Sequence, residues 1–337
     1  MSRTLSKTIL ENVSAAAADG FLNRIFHEDT TVTGNHEFLF FIKPELLLED
    51  QGIAREAVLE LIMDRIQAFG LGIKYARVIG AGYLERHGLI AQHYGVINQI
   101  ASDARNRISE AGRTLFEALF ELPFAQARVL GGLEWLQEYP AFNPDSLDYL
   151  WQNGSFQKLA GGTYALPLRL DGQTSYLVNG FHPRQLAHFT AQGRSIVVFT
   201  LVGDCAWSVA RNQFIGKTCP ADAAPGSIRR TLLEQKDAFG LKAVTPSWNG
   251  VHLSAGPIEA LVELIRYHSD PEKGLFKSPG DYRMGQALLR EWDESTVKAL
   301  LANPILRIRE KNASVFDLTE ERNADDALEL LREASPA

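Results

Sequence analysis

Two short runs, Phe38-Leu39-Phe40-Phe41-Ile42 and Ile196-Val197-Val198-Phe199, are apolar at every position and stand far apart in the chain. Short runs rich in aromatic and β-branched residues read as strands, and the first, with no polar alternation, as a strand covered on both faces. Lys43-Pro44 ends it, because proline cannot extend a hydrogen-bonded ladder. Val58, Leu61, Ile62, Ile66 and Phe69 then follow helical spacing up to a stop at Gly70. A second strand is expected at residues 73–79 and a second helix at 84–100, carrying Leu89, Ile90, Tyr94 and Ile97.

From about residue 101 to 178 the character changes. Ile108, Leu115, Phe116, Leu119 and Phe120 mark one helix, and Val129, Leu130, Leu133 and Leu136 another. Asp171-Gly172, between strand-like stretches at 163–170 and 174–178, is a hairpin signal, since both central turn positions favour positive φ. Pro167 places the first of those strands at a sheet edge. Alternating elements then resume: a helix at 183–192, a strand at 195–201, a helix at 204–214, and a loop rich in Ala, Pro and Gly at 218–226. The helix marked by Ile258, Leu261, Val262 and Ile265 opens on Pro257, whose missing amide hydrogen needs no partner in a first turn. Residues 1–34 are expected to hold a short helix leading into the body, and residues after 269 to be helical, charged and peripheral.

With 337 residues, 45% hydrophobic and 22% charged, the chain can bury a large core, which excludes a disordered or fibrous protein. Length alone suggests about two domains of ~150 residues, or one domain with a long insertion. Thirty-four Lys and Arg against 41 Asp and Glu give a net charge of -7, which disfavours a general nucleic-acid coat and leaves room for a local anion pocket. The 2 cysteines, Cys205 and Cys219, lack the spacing of a zinc site or disulfide ladder, so a reducing compartment is expected. Glu11, Asn12 and Asp19 interrupt any signal-peptide core, and no window approaches the ~20 apolar residues of a membrane helix. A soluble, cytoplasmic protein that binds no membrane is the expectation.

Common catalytic motifs are missing: there is no phosphate loop of Walker type, no Gly-x-Gly-x-x-Gly, no Gly-x-Ser-x-Gly and no His-Glu-x-x-His. Gly80-Ala81-Gly82 reads as a turn. His87 and His93 do not share a helix face as i, i+4 ligands would, and are read as non-metal residues.

Thr218-Cys219-Pro220-Ala221-Asp222-Ala223-Ala224-Pro225-Gly226-Ser227-Ile228-Arg229, followed by Asn249-Gly250-Val251-His252-Leu253-Ser254, resembles the phosphate-binding loop and active-site histidine segment of nucleoside diphosphate kinases. Those proteins read Thr-Asn-Pro-x-x-x-x-Pro-Gly-Thr-Ile-Arg and then Asn-x-x-His-Gly-Ser-Asp. Phe41-Ile42-Lys43-Pro44-Glu45 is similar to the end of their first strand, and His93-Tyr94 to a pair in their second helix. The resemblance implies an α+β fold with a ferredoxin-like βαββαβ antiparallel-sheet core. On that basis residues 1–34 are an N-terminal extension, 35–268 the kinase-like domain interrupted by a mixed helical and hairpin insertion at 101–178, and 269–337 a helical C-terminal extension.

By the same resemblance His252 is the nucleophile that carries a phosphoryl group from a nucleoside triphosphate to a diphosphate, since a neutral imidazole is nucleophilic near pH 7. Glu263 orients it and Ser254 assists the carboxylate. Arg211, Thr218, Arg229 and Tyr94 fall to the phosphates, Lys43 and Asn249 to phosphate or sugar, and Phe181 to the base. Mg²⁺ would bridge phosphate oxygens with no protein cage, and homo-oligomers are implied. The chain also departs from the pattern. Arg211 stands one residue further from Thr218 than in the family, Glu45 replaces Asp, and Leu253 and Ala255 replace Gly and Asp. Leu253 is expected to crowd the phosphate site. Two other readings stay open: a nucleotide-binding regulator without turnover, and an enzyme of the same fold that discharges phosphohistidine to water or a non-nucleotide acceptor.

Overall fold

A computed structural model describes residues 2–49, 51–170, 172–309 and 311–336. Asp171, the first residue of the expected hairpin turn, lies outside them. The chain divides into two compact units, residues 1–83 with 192–337, and residues 84–191.

The first unit is mixed α+β and holds a five-stranded sheet of β1 (Asn23–Glu28), β2 (His36–Ile42), β3 (Gly72–Gly80), β4 (Ser195–Gly203) and β5 (Val251–Leu253). Their order is β1-β3-β4-β2-β5 and every neighbouring pair is antiparallel. The two apolar runs meet at its centre, with Phe40 opposite Phe199 and Phe41 opposite Val198. Both strands are buried along their whole length, which is why neither alternates with polar residues.

Phe38, Phe40, Ile42, Val197, Phe199, Val251 and Leu253 share one face of the sheet. They pack with Ile9 and Val13 of α1 (Ser2–Ala18), Val58, Ile62 and Ile66 of α2 (Arg55–Ala68), Leu232 of α3 (Ile228–Glu234), and Trp207 and Phe214. Burying each such side chain contributes roughly 1.5–3 kcal/mol. Against the other face, α4 (Pro257–His268) packs on β2. Arg77 of β3, nearly fully buried, donates from Nη1 to Tyr267 O at 2.8 Å, setting a cation at the negative end of α4.

Several elements differ from expectation. Residues 23–28, placed in an extension, form β1 and extend the sheet. After residue 269 the chain includes α5 (Arg283–Glu291), α6 (Ala324–Glu333) and a small sheet of Ile305–Ile308, Lys311–Ser314 and Ser335–Pro336, so it is not purely helical. The helix expected at 204–214 is a short α turn, Trp207–Val209, running into a π-helix, Ala210–Ile215.

In the second unit, the helix expected at 84–100 is broken into Ala81–Arg86, Leu89–His93 and Gly95–Ser102, the first of which begins in the other unit. Gly88, at φ +59°, ends the first segment in a left-handed conformation that favours glycine. Val129–Gly131 is a strand parallel to Gln173–Val178, and helix begins only at Gly132. Thr163–Leu170 is an inner strand of this four-stranded sheet, so Pro167 is not on an edge strand. Its neighbour Gln157–Ala160 registers only as far as Ala165, which spares Pro167 that side of the ladder. Phe116, Phe124 and Tyr176 form one core here, and Trp135, Trp151 and Leu177 another. No helix among the described residues is long and apolar enough to cross a membrane.

Candidate active site

Side chains alternate along β5. Val251 and Leu253 enter the apolar core, which leaves His252 on the opposite face. Leu253 therefore does not crowd the histidine; it is fully buried among Phe40, Leu232 and their neighbours. Phe41 of β2 is the register partner of His252, and the two rings stack at 4.6 Å with an interplanar angle of 21°.

The turn after β5 leads into α4, which brings Glu263 back under the imidazole. His252 Nε2 lies 3.1 Å from each carboxylate oxygen of Glu263. Ser254 Oγ donates to Glu263 Oε2 at 2.5 Å. Both Ser254 and Glu263 are buried. A carboxylate only accepts, so Nε2 carries a proton, and in the neutral imidazole the lone pair is then on Nδ1. Burial of Ser254 fixes the carboxylate, and the carboxylate fixes the ring.

A second cluster forms where β2 ends. Lys43 Nζ donates to Asn249 Oδ1 at 2.7 Å, and Asn249 Nδ2 donates to Thr218 O at 3.2 Å and Pro246 O at 3.0 Å. Glu45 Oε1 accepts from Gly250 N at 2.9 Å. Burial pushes the Lys43 ammonium down to about 8; the Arg229 guanidinium acts in the same direction and the Glu45 carboxylate opposes it.

The arginines hold backbone. Arg229, buried on α3, donates to Gly216 O and Val251 O, each at 2.9 Å, and so ties the Gly216 turn to the strand that carries His252. Arg211, on the π-helix, donates to Leu253 O at 2.9 Å and stands 3.6 Å from Glu320. Lys43, Arg211, Thr218, Arg229, Asn249, His252, Ser254 and Glu263 thus all belong to the first unit. Tyr94 and Phe181 belong to the second. Tyr94 lies edge-on to His93, and Phe181 packs against Trp151 at 5.7 Å and Tyr164 at 6.4 Å.

Three residues at the site carried no role in the sequence reading. Phe41 could have been found by pairing its strand with β5. Glu45 sits two positions after Lys43. Glu259 precedes Glu263 by one helical turn, an i, i+4 carboxylate pair legible in the sequence as mutual repulsion. Burial first, and then the Glu263 charge, push the Glu259 carboxyl up to about 7, although it accepts from Ala255 N at 2.7 Å.

No protein-family model matches the chain, and no curated protein matches it. Among solved structures it is similar to a nucleoside diphosphate kinase from Encephalitozoon cuniculi, at 13% identity and TM-score 0.33 over 70% of this chain and 90% of that one. It is also similar to an NDP kinase from Pyrobaculum aerophilum, at 19% identity and TM-score 0.35 over 72% of this chain and 99% of that one.

Proposed function

We propose that this chain is a nucleoside diphosphate kinase-like phosphotransferase working through His252. The observation that carries the reading is the Glu263 carboxylate, held by Ser254 at 2.5 Å and meeting His252 Nε2 at 3.1 Å. That arrangement presents Nδ1 as the nucleophile. In the first half-reaction the Nδ1 lone pair forms a bond to the γ-phosphorus of a nucleoside triphosphate, the bond to the β,γ-bridging oxygen breaks, and the diphosphate leaves. A second diphosphate then attacks the phosphohistidine and returns Nδ1 to its lone-pair state. Mg²⁺, if bound, would be held through the nucleotide's phosphates rather than by a dedicated protein cage and would supply charge neutralisation.

Lys43, Arg211, Arg229, Thr218 and Asn249 are assigned to the phosphates and sugar on the resemblance of their segments, with Lys43, Arg211 and Arg229 supplying the positive charge that phosphoryl transfer needs. We read β3, β4, β2 and β5, in that spatial order, as the ferredoxin-like βαββαβ core, with α2 joining β2 to β3 and α4 following β5. The test is incubation with γ-labelled ATP and Mg²⁺, comparing the wild type with His252→Ala, followed by a chase with individual nucleoside diphosphates. An acid-labile label, missing from the variant and chased onto diphosphates, is the expected result. Label released only as free phosphate, or no label while nucleotide binds, overturns the kinase reading.

A further inference from the structure

The turn that follows β5 and the π-helix are held together by a segment close to the end of the chain. After the helical turn Val315–Thr319 the backbone passes through Glu320 and Glu321 beside that β5 turn. Glu321 N donates to Ala255 O at 2.9 Å, and its Oε2 accepts from Asn212 Nδ2 of the π-helix at 3.0 Å. Gly256 lies so near the segment that an added Cβ would stand 2.4 Å from Thr319 O. Further on, Asn323 Oδ1 accepts from Trp207 N at 3.1 Å. Glu321 has φ +58°, a left-handed conformation that a residue other than glycine keeps only where its surroundings impose it.

With its neighbour fixed at backbone and side chain, Glu320 is presented to Arg211. Glu320 Oε1 stands 3.6 Å from Arg211 Nη2, close enough for charge attraction and too far for a hydrogen bond. The Glu320 carboxylate makes no hydrogen bond among the described residues, and its side chain is 47% exposed against 18% for Arg211. Arg211 Nη1 is taken by Leu253 O at 2.9 Å and Nε is buried, which leaves Nη2 as the end that an incoming anion can meet. Glu259 is placed differently, since its carboxylate is already bonded to Ala255 N at 2.7 Å.

We infer that Glu320 is a built-in competitor for Arg211, holding the guanidinium until a nucleotide phosphate takes its place; this rests on the assignment of Arg211 to the phosphates. A di- or triphosphate carries more charge than one carboxylate and can bring an oxygen to hydrogen-bond distance, so it displaces a partner that stands at 3.6 Å. The exposed Glu320 side chain then turns into water while Glu321 keeps the backbone anchored. The ion pair is broken before chemistry begins, so Glu320 acts on KM and leaves kcat alone. An exposed pair of this kind is worth up to about fivefold in affinity.

The test is calorimetric titration of the full chain with ADP and Mg²⁺, comparing the wild type, Glu320→Gln and Glu321→Gln, beside initial rates of labelling by γ-labelled ATP. Glu320→Gln keeps the size of the side chain and removes its charge. It is expected to bind ADP roughly three- to fivefold more tightly and to lower the half-saturating ATP concentration by the same factor, at an unchanged maximal rate. Glu321→Gln removes the same charge one position away and keeps an oxygen for Asn212, so its ADP affinity is expected to match the wild type. No gain in Glu320→Gln, an equal gain in Glu321→Gln, or no ADP binding by any of the three overturns the competition. Labelling of the wild type reports on the kinase reading separately. A labelled chain whose affinity ignores Glu320→Gln refutes the competition alone, and tighter ADP binding by Glu320→Gln with no label on any chain refutes the kinase alone.

Discussion

Lys43 Nζ and Asn249 Oδ1 meet at 2.7 Å although 206 positions separate them in the chain. The bond joins the end of β2 to the turn before β5, and it holds an ammonium where burial works against its charge.

That placement has a pH signature. The Lys43 pKa is about 8 in the folded chain against an ordinary 10.5. Between those values the folded state binds fewer protons than the unfolded one, so stability contributed at this residue rises with pH across that window and is constant below it. Lys43→Met should remove on the order of 2–3 kcal/mol of that rise, a size set by the shift itself. Urea unfolding from pH 7 to 10.5 measures it, and parallel profiles for the two proteins would contradict the assignment.

In the proposed reaction the Glu263 carboxylate, 3.1 Å from Nε2, decides which nitrogen of His252 attacks. Glu263→Gln can offer an amide N–H to Nε2, moving the ring proton to Nδ1, and should slow phosphohistidine formation by at least about 10²-fold. Ser254→Ala keeps the carboxylate and loses a single hydrogen bond to it, so a smaller loss of about tenfold is expected. Rapid-quench labelling with γ-labelled ATP orders the two, and far-UV circular dichroism checks that both fold. Equal losses would mean that Glu263 holds the ring only while Ser254 holds the carboxylate, and would overturn the ranking.

How much of this was legible in the sequence depended on length scale. Phe38–Ile42 and Ile196–Phe199 announced themselves because both strands are covered on both sides. β1 did not, since Arg24 and Ile25 are exposed and its residues follow neither period; its place in the sheet comes from pairing with β3. Val129–Gly131 is too short for a period to emerge, and its partner lies at Tyr176–Val178. His252, Ser254 and Glu263 were singled out through the resemblance alone; the structure shows that a strand, a turn and a helix bring these three near-neighbours into contact. The Lys43–Asn249 bond and the backbone roles of Arg211 and Arg229 depend on long-range packing that no local pattern encodes.

Gly216 tests the turn that Arg229 anchors. Its φ of 88° and ψ of 162° lie in a region reached almost only by glycine, and an added Cβ would stand 2.4 Å from Ser227 Oγ and 2.9 Å from Ala223 Cβ. Strain and overlap act together, so Gly216→Ala should destabilise by about 3 kcal/mol. Denaturant unfolding of the variant measures this, and a loss within ~0.5 kcal/mol, the range of ordinary surface substitutions, would rule the strained turn out.

Glu259 gives the opposite pH dependence from Lys43. Its carboxyl titrates at about 7 when folded against an ordinary 4.5, because burial and the Glu263 charge both disfavour ionisation. The folded state binds more protons than the unfolded one between those values, so stability falls as pH rises from about 4.5 to 7 and stays lower above. Glu259→Gln keeps an oxygen for Ala255 N and removes the charge. It should therefore raise stability at pH 8 by about 2 kcal/mol while changing little at pH 4.5. A variant that unfolds at the wild-type midpoint at both pH values would show that Glu259 is solvated and that its charge does not bear on α4.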